Sequence, residues 1–304
     1  MTTEAVWEIP EPLSVCDVRL DEHSVTTLRQ HGNTSGPRLV IGHGSGLAVD
    51  LYYPFWSLLA DDCELIVHDI RNHGWNRVGS AKDHNIPTLI HDHDLILESV
   101  DRVYGSKPTI GIFHSLSTLI PLLSLRESYS ALVLFDPPLC KPGASQIELH
   151  AAAERAAAQI RRRGHRFTTR EEFADFLRVV PTFSRVVPGV PQLMARTTLR
   201  RSASGEHYEL RCPREYEAQL MDYGRSFFPL IDLEWLSCPT KVIGADPTLP
   251  FSYLPTFDVE DATRVDYDFI PETTHLLQLE RPRECVAAIR EFLARHGVDV
   301  RAGQ

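Results

Sequence analysis

Between Lys107 and Thr118 the chain reads Lys-Pro-Thr-Ile-Gly-Ile-Phe-His-Ser-Leu-Ser-Thr, an apolar run that stops at His114-Ser115 and resumes with helical spacing. Strand, sharp turn and helix in that order lift a serine hydroxyl above a helix N-terminus, where backbone N–H groups and the positive end of the dipole favour developing negative charge. Ser115 is therefore the candidate nucleophile. A serine hydroxyl is weak near neutral pH, so it needs a histidine base and a carboxylate to orient that base. Residues of both kinds follow downstream in the order Ser, Asp, His.

Such residues must be held by rigid elements, and the pattern around Ser115 supplies them. Strands are expected at Ser14 to Leu20, Val25 to Gln30, Pro37 to Ile41, Glu64 to Val67, Thr109 to Phe113 and Ala131 to Phe135. Helices are expected at Leu51 to Ala60, Thr88 to Tyr104 and Leu116 to Arg126. Alternation of this kind implies a parallel sheet covered on both faces. It resumes with strands at Thr240 to Gly244 and Arg264 to Ile270 and a helix at Arg283 to His296.

The interruption, Leu139 to Ser237, has helical composition: alanine-rich Ile147 to Ile160, a helix start near Thr169-Arg170-Glu171-Glu172, and Glu215 to Tyr223. It reads as a helical lid, residues 139–237, inserted into a core made of residues 1–138 and 238–304. The lid carries 15 basic and 12 acidic residues and the remainder 16 and 29. That contrast reads first as a solvated helical surface and second as a field suited to an anionic substrate.

Composition narrows the function classes. The chain has 304 residues, 43% of them hydrophobic, enough for a sizeable core. A net charge of -10 argues against a nucleic-acid partner. No run reaches the roughly 20 apolar residues of a membrane helix, and the acidic, proline-bearing start is unlike a signal sequence, so a cytoplasmic location is expected. The six cysteines (Cys16, Cys63, Cys140, Cys212, Cys238, Cys285) have neither disulfide nor zinc spacing and read as reduced, packed thiols. His91 and His93 point to different faces of a helix and cannot readily share an ion; an exposed helix face is expected for them.

Together, His43-Gly44 after the third strand, Asp69-Ile-Arg-Asn-His-Gly74 after the fourth, His114-Ser115 after the fifth and His275 near the end resemble the α/β-hydrolase superfamily over nearly the whole chain. The likeness is to its lid-bearing esterase, thioesterase and carbon–carbon hydrolase branches. It implies an α/β fold with a mostly parallel sheet of about eight strands, helices on both faces and an inserted lid. The Ser115 turn departs from G-x-S-x-G, with Phe113 and Ser117 at the flanking positions where small residues normally sit.

In that family the histidine lies on the loop after the last strand, which selects His275. Asp246, in Ala-Asp-Pro-Thr-Leu-Pro250, has the family's Asp-x-x-x-Pro spacing and is the expected acid; Asp136, ending the sixth strand, is the alternative. Backbone N–H groups of Ser45 and Leu116 are expected to form the oxyanion hole, with glycines 42, 44 and 46 letting that loop approach the substrate.

The expected reaction cleaves an ester or thioester with an apolar acyl portion through an acyl-enzyme on Ser115. It requires no metal or organic cofactor. Phe176, Phe183, Tyr223 and Phe227 are candidate walls of the pocket. Hydrolysis of a carbon–carbon bond in a diketone-like substrate uses the same residues and stays open, as does a noncatalytic ligand-binding protein on the same fold.

Overall fold

The computed structural model describes residues 6–124, 126, 128–139, 144–249, 265–298 and 300; Cys140, Pro250 and Arg264 lie outside them. Among the described residues eleven strands are formed: β1 (Ser14–Arg19), β2 (Val25–Gly32), β3 (Arg38–Ile41), β4 (Glu64–Val67), β5 (Thr109–His114), β6 (Ala131–Phe135), β7 (Arg166–Phe167), β8 (Leu199–Arg201), β9 (Tyr208–Leu210), β10 (Thr240–Gly244) and β11 (Val265–Phe269). Eight of them make one sheet in the order β1-β2-β4-β3-β5-β6-β10-β11. The pairs β1–β2 and β2–β4 are antiparallel and all others parallel.

Every residue of β3, β4, β5, β6 and β10 is buried. This is why those segments read as mainly apolar runs, with charged residues only near their starts (Arg38, Glu64, Lys241): a parallel strand with both faces covered has no solvent side to alternate toward. The covering helices are α1 (Tyr53–Trp56), α2 (Ile86–Tyr104), α3 (Leu119–Leu123), α4 (Ala144–Arg162), α5 (Arg170–Val179), α6 (Val190–Thr198), α7 (Arg214–Phe227), α8 (Leu277–Glu280) and α9 (Pro282–Arg295). Two expected helices are shorter than their patterns. Leu51 to Ala60 is broken into 3-10 turns either side of α1, and α3 is preceded by the 3-10 turn Ser115–Thr118. Among the described residues no helix is long and apolar enough to cross a membrane.

The segment between β6 and β10 holds α4 to α7, but it is not wholly helical. β7, β9 and β8 form a small antiparallel sheet, tied across β8 and β9 by Arg200 Nε and Glu209 Oε1 at 2.9 Å. On α4, Leu149, Ala153, Ala157 and Ile160 recur every three or four residues and bury against Ala218, Leu220 and Met221 of α7. Small alanine side chains let the two helices pack closely. The same apolar cluster includes Leu116 and Leu119, so the segment is anchored directly beside Ser115.

Candidate active site

β5 ends at His114, and Ser115 follows with φ +57°. A non-glycine residue in the left-handed region stores strain, and here it turns the chain sharply into the following helical turn. Phe113, the residue that breaks the usual small-residue pattern, finds its room elsewhere. An ideal Cβ on Gly42 would lie 2.6 Å from the Phe113 ring, and one on Gly111 would lie 2.6 Å from another ring carbon. The small residues needed at the turn thus stand on β5 itself and at the end of neighbouring β3, while the Phe113 ring packs edge-on against His93 and Tyr129.

His275 Nε2 lies 2.8 Å from Ser115 Oγ, and His275 Nδ1 lies 2.5 Å from Asp136 Oδ2. The other oxygen of Asp136 accepts the Ala245 N–H at 3.2 Å. All three side chains are buried at the C-terminal ends of their strands. Of the two acids, the expected Asp246 and the alternative Asp136, it is Asp136 that faces the histidine. Both oxygens of Asp246 are already used. Oδ1 accepts the Thr248 N–H and hydroxyl at 2.9 and 2.7 Å, and Oδ2 accepts the Glu272 N–H at 2.8 Å. These bonds, the Thr248 hydroxyl foremost, hold the Asp246 carboxyl below the ordinary carboxylate range. The backbone N–H of Asp246 donates to Thr273 O, so the residue shapes the turn that carries His275 without touching it.

The loop after β3 is pinned at each side. The Gly44 N–H donates to Tyr52 Oη at 3.1 Å and the Gly46 N–H to His73 Nε2 at 2.9 Å. The Ser45 N–H between them has no partner among the described residues. Leu116 is the second residue of the 3-10 turn Ser115–Thr118, where the first N–H groups have no acceptor within the helix. Below this loop, Asp69 accepts the Val49 and Trp75 N–H groups, and Arg71 makes a two-pronged ion pair with Asp92 at 2.7 Å on each prong.

A sequence model of the alpha/beta hydrolase family matches residues 39–288, a span that runs from within β3 to the middle of α9 and holds all of the residues just described. The chain belongs to the alpha/beta hydrolase family. No curated protein is similar to it at the sequence level. Among solved structures, E-2-(acetamidomethylene)succinate hydrolase superposes with a TM-score of 0.72 at 16% identity, covering 92% of this chain and 99% of that one. The thioesterase domain from the curacin biosynthetic pathway gives 0.69 at 16% identity, covering 91% and 98%. A thermophilic esterase from Thermogutta terrifontis gives 0.60 at 18% identity, covering 93% and 98%. At these identities the likeness is one of fold.

In this member of the alpha/beta hydrolase family, Ser115 and His275 open into a cavity of about 320 Å³ between the sheet and the β6–β10 segment. That volume lies at the small end of ligand pockets. Its walls are mainly apolar and include Ile160, Phe173, Leu177, Met194 and Met221. Of the four aromatics named as candidate walls, Phe176 and Phe183 line it; Tyr223 is substantially exposed and Phe227 packs with the α4–α7 cluster. One corner is polar. Arg163, just past α4, pairs with the buried carboxylate of Glu217 in the first turn of α7. Glu217 also lies against the loop of the unpartnered N–H: an ideal Cβ on Gly46, whose φ is +76°, would fall 2.4 Å from its carboxyl carbon. Sequence reading missed this pair, because a lid arginine and a first-turn glutamate look like ordinary surface charges.

The histidines of α2 also differ from expectation. His91 is exposed, but His93 is buried and its Nε2 lies 2.8 Å from the Tyr129 hydroxyl. Elsewhere, His73, His84 and Cys212 bring ligand-type atoms within 4.8 Å of one another. Their hydrogen bonds do not suit a metal. His73 Nδ1 donates to Arg71 O, and its remaining lone pair accepts the Gly46 N–H. Asn72 accepts the Gly79 N–H through Oδ1, so its amide nitrogen donates to His84 Nδ1 and leaves His84 Nε2 protonated.

Proposed function

We propose that this protein is a serine hydrolase that cleaves an ester or thioester through an acyl-enzyme on Ser115. The observation that carries the reading is the continuous chain Ser115 Oγ, His275 Nε2 at 2.8 Å, His275 Nδ1, Asp136 Oδ2 at 2.5 Å. His275 takes the serine proton as Oγ bonds to the carbonyl carbon. Asp136 accepts the Nδ1–H, holds the ring in the tautomer whose Nε2 lone pair faces the serine, and stabilises the imidazolium. The carbonyl oxygen becomes an oxyanion facing the Ser45 and Leu116 N–H groups.

His275 then gives its proton to the departing alcohol or thiol, and the carbonyl re-forms as the acyl-enzyme. Water, deprotonated by the same nitrogen, repeats the attack and releases the acid. Each step uses only groups of this chain. Residues 139–237 serve as the cap that closes the acyl pocket, whose walls favour an apolar acyl chain of modest length. The likeness in fold to a thioesterase domain and to an esterase supports this chemistry.

The test is steady-state hydrolysis of p-nitrophenyl acetate, butyrate and octanoate, a short acyl thioester, and a vinylogous diketone. Turnover of the short esters or the thioester, reduced about a million-fold in Ser115→Ala, is expected. Turnover confined to the diketone would replace the reading with carbon–carbon hydrolysis. No turnover of any of them, with tight binding retained, would replace it with a binding protein.

A further inference from the structure

His114, immediately before Ser115, is 1% exposed, and the proposed proton chemistry does not use it. Its Nε2 lies 2.7 Å from the backbone carbonyl oxygen of His275. A carbonyl can only accept, so that nitrogen carries the hydrogen. Burial holds the ring's pKa well below that of a free histidine, so it is neutral and Nδ1 is a bare acceptor. The Tyr52 hydroxyl stands 2.6 Å from Nδ1 and must be the donor. The Tyr52 oxygen in turn accepts the Gly44 N–H at 3.1 Å. Burial raises the Tyr52 pKa, which keeps the phenol protonated.

Every hydrogen in this chain therefore has one direction: Gly44 N–H to Tyr52, Tyr52 O–H to His114, His114 N–H to the carbonyl of His275. The three segments it joins are those the reaction needs together. Gly44 adjoins Ser45 on the loop after β3, His114 adjoins Ser115 after β5, and the last acceptor is the backbone of the base itself. The rings of His114 and His275 also lie face to face at a tilt, with centroids 4.7 Å apart.

We propose that Tyr52 and His114 are positioning residues that set the oxyanion loop, the nucleophile turn and the base loop in one register. The inference rests on the acyl-enzyme reading of Ser115. Deleting the Tyr52 hydroxyl removes the buried partner of the Gly44 N–H and of His114 Nδ1, and freeing these segments displaces reacting groups by fractions of an ångström. Misplacement on that scale costs up to about a hundredfold in rate. A residue that only fills space behaves differently, because phenylalanine retains the ring of Tyr52 and its packing.

The experiment compares kcat and KM for p-nitrophenyl butyrate in wild type, Tyr52→Phe, His114→Gln, His114→Leu and Ser115→Ala, with circular dichroism melting of each. Tyr52→Phe is expected to lower kcat roughly tenfold to a hundredfold with KM nearly unchanged. His114→Gln can still donate to the His275 carbonyl and should retain more activity than His114→Leu of similar size. Folded Tyr52→Phe with wild-type kcat, or equal activity in the Gln and Leu variants, overturns the proposal while leaving the Ser115 reading intact. Turnover persisting in Ser115→Ala removes that reading, and this proposal with it.

Discussion

The Asp136 carboxylate lies 2.5 Å from His275 Nδ1, whereas the neighbouring Asp246 spends both oxygens on Thr248 and Glu272. The two acids end adjacent strands but do different work. Asp136→Asn is expected to lower kcat by about ten thousandfold through loss of the productive tautomer. Asp246→Asn should keep kcat within about tenfold. It places an amide N–H against an N–H or O–H donor, and it should cost about 1–3 kcal/mol of stability. Steady-state kinetics and urea unfolding of the two variants separate the roles; the opposite ranking of kcat would reinstate Asp246.

Gly42 and Phe113 are complementary in shape. Gly42→Ala drives a methyl group into the Phe113 ring and should destabilise the fold by about 1–3 kcal/mol, as overpacking does. Phe113→Ala opens a cavity among His93, Tyr129 and Leu132 and should cost about 3–5 kcal/mol. Because the new methyl group occupies part of that cavity, the double variant should be more stable than the sum of the two losses implies. Additivity in urea denaturation would show that the two positions do not compete for space.

The Arg163–Glu217 pair joins α4 to α7 and braces Gly46. Arg163→Met leaves the Glu217 carboxylate buried without that partner. Since the arginine is itself about a third exposed, the full penalty of a buried pair is reduced to roughly 1–3 kcal/mol. Arg163→Met combined with Glu217→Met should recover much of that loss, because two apolar side chains suit the cavity wall. Thermal melting of the single and double variants checks this; a double variant less stable than Arg163→Met would contradict it.

Among the histidines that burial depresses are His68 and His84, in loops, to about 4 and His93, on α2, to about 3. The unfolded chain takes up these protons near pH 6.5, and the folded chain does not until far lower pH. Between pH 6.5 and about 4 the unfolded state therefore binds more protons. Each residue contributes a loss of up to ~1.4 kcal/mol of stability per pH unit as acid is added. Asp92 and Glu280, whose carboxyls burial raises, act in the opposite direction. His84→Gln should flatten the fall in melting temperature between pH 7 and pH 5; an unchanged slope would show that His84 does not titrate this way.

Ser115 was legible because it follows a strand with both faces buried, which announces its own end; His275 follows β11, Val-Asp-Tyr-Asp-Phe, which is partly exposed, so it was read from its place on the loop after the last strand, as in the family it resembles. The choice between Asp136 and Asp246 was not legible. Both end neighbouring strands, β6 and β10, and only the contacts of their oxygens distinguish them. Phe113 looked anomalous because the glycines that make its room do not flank Ser115: Gly111 stands two residues before Phe113 and Gly42 follows the neighbouring strand β3. His93 could have been placed inside: it shares a helical face with Leu89, Ile96 and Val100, all buried. β7 to β9 are two or three residues long, too short for any periodicity to register. The Tyr52–His114 contact joins a 3-10 turn to the end of β5, and their proximity exists only in the folded sheet.

The central claim is that Ser115 is made nucleophilic by His275, and active-site labelling tests it directly. Native protein treated with a fluorophosphonate and digested should carry one phosphonate adduct, on the peptide containing Ser115, and His275→Ala should label far more slowly. A folded protein that stays unmodified, or an adduct on another serine at the same rate in both proteins, would contradict the account.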